Sequence, residues 1–299
     1  MEVLKLNFSN IPELKKKSAL CLGYFDGLHL GHRSLIESAV KENDSVAVLT
    51  FDFSPKSFVR KRENLILTSL EDKKEILKKI GVSYLLVVEV SKEFLAATKE
   101  EFIFGILRRL NIDRLYCGKD FRFGKNKAGT PKDLEKYFPT IAVELLDYER
   151  KKVSSRRVVE LLKKGDIDNA NILLGRRYSL TGVVIKGLGN GNKIGYKTAN
   201  LYLDEPYYLP KHGVYICEVI HGEVKYEAIC NIGIHPSIDE LEDPIVEVHI
   251  LNKDVNVLGE MLKVELIKFI RGEKKFRELN ELVLQITKDT IAADDYFKK

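Results

Sequence analysis

The chain reads as two successive folds: a doubly wound α/β domain with a parallel sheet, then an antiparallel β domain closed by a C-terminal helix. Up to about Tyr148, apolar strand-like runs alternate with helical patterns, which is the alternation of a parallel sheet. From Tyr178 onward the runs are rich in Val, Ile and Tyr and are separated by short turns, the pattern of antiparallel pairing. At 299 residues the chain is also longer than one core ordinarily serves.

In the first part the expected strands are 18–25, 45–51, 83–90, 114–118 and 140–146. Leu35, Ile36, Ala39 and Val40 fall at helical spacing after the first of these. Thr68-x-x-Glu71 and Thr98-x-x-Glu101 read as capping boxes, and Thr130-Pro131 as a cap followed by the first helical residue. A helical stretch from Ser154 to about Leu174, broken near Gly165, leads out of this domain. The expected domains are therefore 1–158 and 159–299, with 159–175 as a helical linker. In the second domain turns are expected at 187–195, at His221-Gly222 and at 252–254. A helix is expected from Arg271 to about Asp289, carrying an apolar stripe of Phe276, Leu279, Leu282, Val283 and Ile286 onto a barrel or sheet.

Hydrophobic residues make up 44% of the chain and charged residues 31%, the balance of a soluble globular protein. No apolar run approaches the roughly 20 residues that span a bilayer, and the N-terminus shows no secretory signal pattern. A cytoplasmic location is expected. Cys21, Cys117, Cys217 and Cys230 form no Cys-x-x-Cys pair, so they read as reduced core thiols rather than zinc ligands or disulfides. The net charge of +5 is interspersed and favours anionic small molecules over nucleic acid.

Gly23-Tyr24-Phe25-Asp26-Gly27-Leu28-His29-Leu30-Gly31-His32 joins the first strand to the first helix. A helix start carries free N–H groups and the positive end of the helix dipole, so it can hold a phosphate by backbone alone. His29 and His32, three apart, can both donate to one anion from the first helical turn. Two solvated histidines, or a metal pair at helical spacing, are the other readings of His-x-Gly-His by itself. Gly118-Lys119-Asp120-Phe121-Arg122-Phe123-Gly124-Lys125 follows the fourth expected strand, and Ser154-Ser155-Arg156-Arg157 the fifth. Arginines and hydroxyls at a helix start suit a triphosphate, although either segment alone also reads as a solvated basic face.

Together these segments resemble the bacterial bifunctional riboflavin kinase and FMN adenylyltransferase family, and the resemblance extends over nearly the whole chain. Gly23 to His32 is similar to that family's Gly-x-Phe-Asp-Gly-x-His-x-Gly-His motif, and Asp120 to Gly124 to its Asp-Phe-x-Phe-Gly motif. Ser154, Ser155 and Arg157 match its Ser-Ser-Thr-x-Ile-Arg element, whereas Arg156 replaces Thr and Val159 stands at the final Arg. The resemblance implies a Rossmann-like nucleotidylyltransferase domain followed by a riboflavin kinase-like β barrel with a C-terminal helix. It also implies His29 and His32 as catalytic groups at the reacting phosphates. Gly23, Phe25, Asp26, Gly27, Gly31, Asp120, Phe121, Arg122, Gly124, Ser154, Ser155, Arg156 and Arg157 would be nucleotide or flavin contacts.

Gly187-Leu188-Gly189-Asn190-Gly191-Asn192-Lys193-Ile194-Gly195 fits neither a P-loop nor a dinucleotide fingerprint, since the spacing is wrong and an apolar strand follows. It reads either as a plain hairpin loop or as a phosphate-covering flap that uses Gly187, Lys193 and Gly195. Gly195-Tyr196-Lys197-Thr198-Ala199-Asn200-Leu201 resembles the family's Gly-Phe-Pro-Thr-Ala-Asn-Leu kinase motif, with Lys197 in place of Pro. Thr198 and Asn200 are two apart on a strand and so share a face; the resemblance makes them the ligands of a magnesium–nucleotide complex. Glu247-Val248-His249 and Phe269-Ile270-Arg271-x-Glu273-x-x-Phe276 also resemble family elements, which implies Glu247 as general base and Arg271 as a phosphate or flavin contact, with Phe276 as helix core.

The expected function is FAD biosynthesis, with ATP phosphorylating riboflavin in the second domain and adenylylating FMN in the first. Mg²⁺ is the expected cofactor. The expected partners are ATP, riboflavin and FMN, with no nucleic acid and no membrane, and the assembly is a monomer or a weak homo-oligomer. Lys197 motivates an alternative, an adenylyltransferase whose β domain binds flavin without kinase activity. A nucleic-acid-binding barrel is the reading from a different class.

Overall fold

A computed structural model describes residues 1–144, 146–186, 198–203, 205–236, 242–253, 255–276 and 278–298. The expected glycine-rich segment 187–195 and Lys197 lie outside them. The chain divides into two compact units, Met1–Ser155 and Arg156–Lys299.

The first unit runs β1 (Glu2–Leu6), β2 (Ser18–Leu22), α1 (Leu30–Glu42), β3 (Val46–Phe51), α2 (Pro55–Arg60), α3 (Leu70–Ile80), β4 (Tyr84–Val88), α4 (Lys92–Ala96), α5 (Lys99–Gly105), β5 (Ile112–Gly118), α6 (Pro131–Glu135) and β6 (Thr140–Val143). A short hairpin, β7 (Asp147–Tyr148) with β8 (Lys151–Lys152), comes next. The six-stranded sheet has the order β1-β4-β3-β2-β5-β6, and every pairing is parallel. Strands β2 and β4 are buried throughout and β3 in all but Phe51, as a sheet covered on both faces requires. One core lies on each face: Leu20, Leu22, Leu86 and Phe102 on one, Cys21, Ile36, Val48 and Tyr116 on the other.

Several boundaries differ from those expected. Strand β1 is not among the expected strands because it is an edge strand in which only Leu6 is buried, so alternation is lost among Glu2 and Lys5. Helix α3 is capped by Ser69, whose hydroxyl accepts from the Asp72 amide, not by the neighbouring Thr68, which is buried. The sheet strand β6 stops at Val143, and the chain turns into the β7–β8 hairpin with Glu149 and Arg150 both at positive φ. The other two caps are as expected: Thr98 with Glu101 forms a capping box, and Thr130 caps a helix that begins at Pro131.

The second unit begins within α7 (Ser155–Lys164) and continues with α8 (Ile167–Leu174), the two meeting at the break expected near Gly165. Asn171 on α8 donates to the Leu266 carbonyl and accepts from the Tyr178 amide, at 2.9 and 2.7 Å, which fixes α8 to the barrel strands. These are β9 (Tyr178–Ile185), β10 (Ala199–Tyr202), β11 (Gly213–His221), β12 (Val224–Pro236), β13 (Glu242–Ile250) and β14 (Met261–Arg271), closed as a barrel in the order β10-β13-β12-β11-β14-β9. Alternate residues Tyr215, Cys217, Val219, Cys230, Ile232, Val246, Val248, Val264 and Leu266 are fully buried and fill the interior. All four cysteines are free and buried, and burial raises the thiol pKa of Cys21, Cys117 and Cys217.

The C-terminal helix α9 spans Leu279–Phe297, later than the expected start at Arg271. Arg271 instead ends β14, and Phe276 precedes the helix rather than lying in its core. The stripe turned to the barrel is also later in sequence: Asp289 and Ala293 are buried, whereas Leu279 is exposed. Ala293 and Phe297 pack with Val214, Ile216, Ile229 and Ile267 on the outside of the barrel.

An ion pair also fixes the helix there. Arg271 Nη2 and Nε reach the Asp289 carboxylate at 2.6 and 3.0 Å, and Asp289 is 3% exposed. Breaking a buried pair leaves an uncompensated charge and costs about 3–5 kcal/mol. Asp289→Ala is expected to lower the stability of the second unit by that order in urea unfolding, and a loss below about 1 kcal/mol would show that the pair does not hold the helix.

Candidate active site

In the first unit β2, β3 and β4 step one way from the sheet centre while β5 and β6 step the other, so the order reverses between β2 and β5. Ligands of open α/β sheets bind beyond the carboxyl ends of the strands at such a reversal. Gly23 to His32 leaves the end of β2 and Lys119 to Gly124 leaves the end of β5, on adjacent strands paired Leu22 to Cys117. Two segments distant in sequence thus emerge at one crevice.

The turn into α1 is strained and tightly held. Phe25 and Leu28 have φ of 52° and 40° although neither is glycine, and both are buried in the core. Such conformations persist where packing over-determines them, and they cluster at functional sites. Gly23 has no room for a side chain, since a Cβ would lie 2.8 Å from the Phe25 ring. Asp26 is turned inward: Oδ1 accepts from the Leu67 amide at 2.9 Å, and burial raises its carboxyl pKa while the Lys73 charge opposes that rise. Ser155 Oγ donates to the Asp26 carbonyl at 2.8 Å, and Thr50 Oγ1 to the Tyr24 carbonyl at 2.7 Å.

His29 is the N-cap of α1, and its Nδ1 accepts from the His32 amide at 3.3 Å. That bond leaves Nε2 as the donating nitrogen of a neutral ring. His32 stacks on His29 with ring centroids 3.6 Å apart and meets the Phe25 ring edge-on. Its Nδ1 is buried without a hydrogen-bond partner among the described residues. Burial first, then the positive charges of Lys73 and Lys152, hold the His32 pKa well below 6.5. A bound polyphosphate would oppose both lysine charges.

Around this pair the β5 loop is braced. Asp120 pairs with Lys152 at 2.5 Å, Phe121 stacks on Phe123, and Arg122 Nη1 donates to the Phe121 carbonyl. Gly124 sits at φ 70°, where a Cβ would approach the Lys99 amide nitrogen to 2.8 Å. Gly27 also has positive φ, and Gly31 lies in the first turn of α1 against the His29 ring. Ser154 is half-buried, Arg157 is half-buried on α7, and Arg156 is exposed and pairs along its own helix with Glu160 at 3.0 Å.

Two lysines at this site are absent from the residues expected there, Lys73 and Lys152. Lys73 carries a signal, because Leu70, Lys73, Leu77 and Ile80 share one helical stripe and a lysine there is out of place. Lys152 carries none, since only the unexpected β7–β8 hairpin brings it to Asp120.

In the second unit, pairing register assembles the polar groups. Asn200 on β10 is directly opposite Glu247 on β13, and Glu247 is directly opposite Asn231 on β12. Opposed residues share a face, so the three form a transverse row on the outside of the barrel, away from the buried Val246 and Val248. A cavity of about 230 Å³ lies between this face and α9, and Thr198, Asn231, Glu247, His249, Arg271 and Phe276 are among the residues that line it. Arg271 borders it while committed to Asp289. Thr198 and Asn200 offer a hydroxyl and an amide oxygen beside a carboxylate, a hard-oxygen set suited to Mg²⁺. Among the described residues no group of three or more His, Cys, Asp or Glu could hold a metal ion.

Comparison with known proteins agrees with this division. The family model described as FAD synthetase matches residues 11–158, and that described as riboflavin kinase matches residues 174–297. The bifunctional riboflavin kinase/FMN adenylyltransferase of Bacillus subtilis is 37% identical over 96% of this chain and 95% of its own. The Escherichia coli K12 protein of the same name is 33% identical over 97% and 96%. A solved structure described as a macrolide-efflux protein from Streptococcus pneumoniae superposes with a TM-score of 0.91 at 30% identity, covering 98% of this chain and 99% of that one. Among the described residues of the present chain, no helix is long and apolar enough to cross a membrane. With both halves matched and relatives aligned end to end, the chain belongs to the bifunctional riboflavin kinase/FMN adenylyltransferase family.

Proposed function

We propose that the chain divides this family's two transfers between its units, FMN adenylylation at the His29–His32 turn and riboflavin phosphorylation at the Glu247 row. The observation that carries the reading is that each unit matches its own family model and holds its own polar constellation. The alternative of a barrel that only binds flavin is not favoured, because the Asn200–Glu247–Asn231 row is intact despite Lys197.

In the first unit a phosphate oxygen of FMN attacks the α-phosphorus of ATP, the new P–O bond forms, and the bond to the bridging oxygen breaks to release pyrophosphate. No protein nucleophile is needed, and the work is positioning and charge stabilisation. The start of α1 and the N–H groups of His29 and His32 receive the charge that develops on the phosphate oxygens. A neutral imidazole suits this role, since it donates without burying a cation of its own. Lys152 and Asp120 brace the loop after β5, and Ser154 is a further phosphate contact.

In the second unit Glu247 takes the proton from the ribityl 5′-hydroxyl as that oxygen attacks the γ-phosphorus of ATP, and ADP leaves. Thr198 and Asn200 would hold Mg²⁺, which when bound offsets phosphate charge. Asn231 orients the carboxylate from its opposed position, while the glycine-rich segment with Gly187, Lys193 and Gly195 is assigned to covering the phosphates.

Incubation with riboflavin, ATP and Mg²⁺, with chromatographic resolution of the flavins, should yield FMN and then FAD. Formation of FAD from supplied FMN but not from riboflavin would leave only the first activity. Glu247→Gln is expected to lower FMN formation about 10²- to 10⁴-fold while FAD formation from supplied FMN persists. His29→Ala and His32→Ala should each lower FAD formation about 10²- to 10³-fold; undiminished adenylyl transfer in either folded variant removes that histidine from the mechanism.

A further inference from the structure

Beneath the adenylyl-transfer turn lies a lysine with no part in the transfer as derived from the histidines. Lys73, on α3, is 4% exposed. Its ammonium lies 4.8 Å from the Tyr24 ring centroid and 3.5 Å from Thr50 Oγ1, the hydroxyl that donates to the Tyr24 carbonyl. Asp26, buried two residues beyond Tyr24, interacts with the same charge. Lysine is almost never fully buried unless its charge is compensated, and an apolar residue at this stripe position would pack without that requirement. The cation is therefore retained at a cost in desolvation, next to the turn whose strain marks it as functional.

We propose that Lys73 is a positioning residue for FMN adenylylation: its ammonium, seated among the Tyr24 ring, the Thr50 hydroxyl and the Asp26 carboxylate, fixes the segment 24–26 and sets a positive potential under the His29–His32 pair. The inference rests on the assignment of adenylyl transfer to that pair. Fixing 24–26 also fixes the His29 cap, because only Gly27 and Leu28 separate it from Asp26. The potential acts in the direction of the chemistry, since a preorganised cation in a water-poor site favours the phosphate charge that grows in the transition state. The charged or titratable groups acting on His32 are His29 at the cap of α1, Lys73 on α3 and Lys152 on β8, and Lys152 is shared with Asp120. Lys73 is the buried one of the two lysines, so solvent screens it least.

Removal of Lys73 takes away a neighbouring positive charge, which raises the His32 pKa toward its ordinary value. The acid limb of the adenylylation profile, where His32 gains a proton, then moves to higher pH. The test uses full-length Lys73→Met and the double variant Lys73→Met/Asp26→Asn, which removes the carboxylate that the single change would strand and so guards against unfolding. With FAD formation from FMN followed across pH, kcat is expected to fall about 10²-fold, with KM for ATP and FMN within about threefold and the acid limb displaced upward. Wild-type kcat in either folded variant overturns the proposal, as does a reduced kcat with an unmoved acid limb, which is what a merely structural lysine would give. His29→Ala and His32→Ala measured in parallel separate the two levels: full activity there sinks the site assignment itself, whereas loss there beside a wild-type Lys73→Met sinks the role of Lys73 alone.

Discussion

A helix start that holds phosphate must keep its own amides available, so the turn leading into it has to be fixed by other groups. The first unit is organised around that constraint. The Asp26 carboxylate is spent inward on Leu67, Ser155 holds the Asp26 carbonyl, and Thr50 holds the Tyr24 carbonyl. These braces come from the loop before α3, the start of α7 and the end of β3, so three separate elements hold the turn. The positive φ values at Phe25 and Leu28 are tolerable for the same reason, because both side chains are locked in the core. Parallel pairing of β2 with β5 then delivers the second motif to the same edge without any contact having to be specified in the sequence.

The second unit meets a different demand. A closed barrel of six strands fills its interior with side chains, so it has no room inside for a flavin or a triphosphate. A site must be built on the outer face, where polar residues would otherwise be solvated individually. Register solves half of this, since Asn200, Glu247 and Asn231 fall in one transverse row. Helix α9 solves the other half by walling one side, and its position depends on the Arg271–Asp289 pair together with Gln285, which donates to Asp289 at 3.0 Å. Arg271 therefore serves the cavity through the helix it anchors.

Legibility in the sequence depends on which interactions are local. Caps at Thr98 and Thr130, the apolar period of α1 and the break at Gly165 are set within a few residues, and they are where periodicity and capping rules put them. Motif residues are legible because glycine, aspartate and histidine at fixed spacing have few other uses. Strand β1 is not, because an edge strand buries one side chain and needs no alternation. The true start of α9 is hidden by Phe276, which continues the apolar spacing but lines the cavity ahead of the helix. Lys152 and the Asn231–Glu247 opposition are invisible for a deeper reason: they depend on a hairpin and a register, which are properties of paired segments and not of either alone.

The two sites also use charge in opposite ways. On the proposed assignment a carboxylate at the barrel takes a proton from a hydroxyl and has to be within reach of its substrate, and Glu247 is half-buried beside two amide side chains. At the proposed adenylyl site the attacking phosphate would already be an anion, with no proton to be removed. The requirement there is a field that favours negative charge before the substrate arrives. In the proposed arrangement neutral histidines would meet that need, with positive charge held one layer deeper on Lys73, which also acts on Asp26. That separation would let the donors act without a cation stranded beside them. It also explains why Asp26, an acid in a phosphate-binding motif, is compatible with an anionic substrate: its carboxylate faces the lysine and the Leu67 amide, not the crevice.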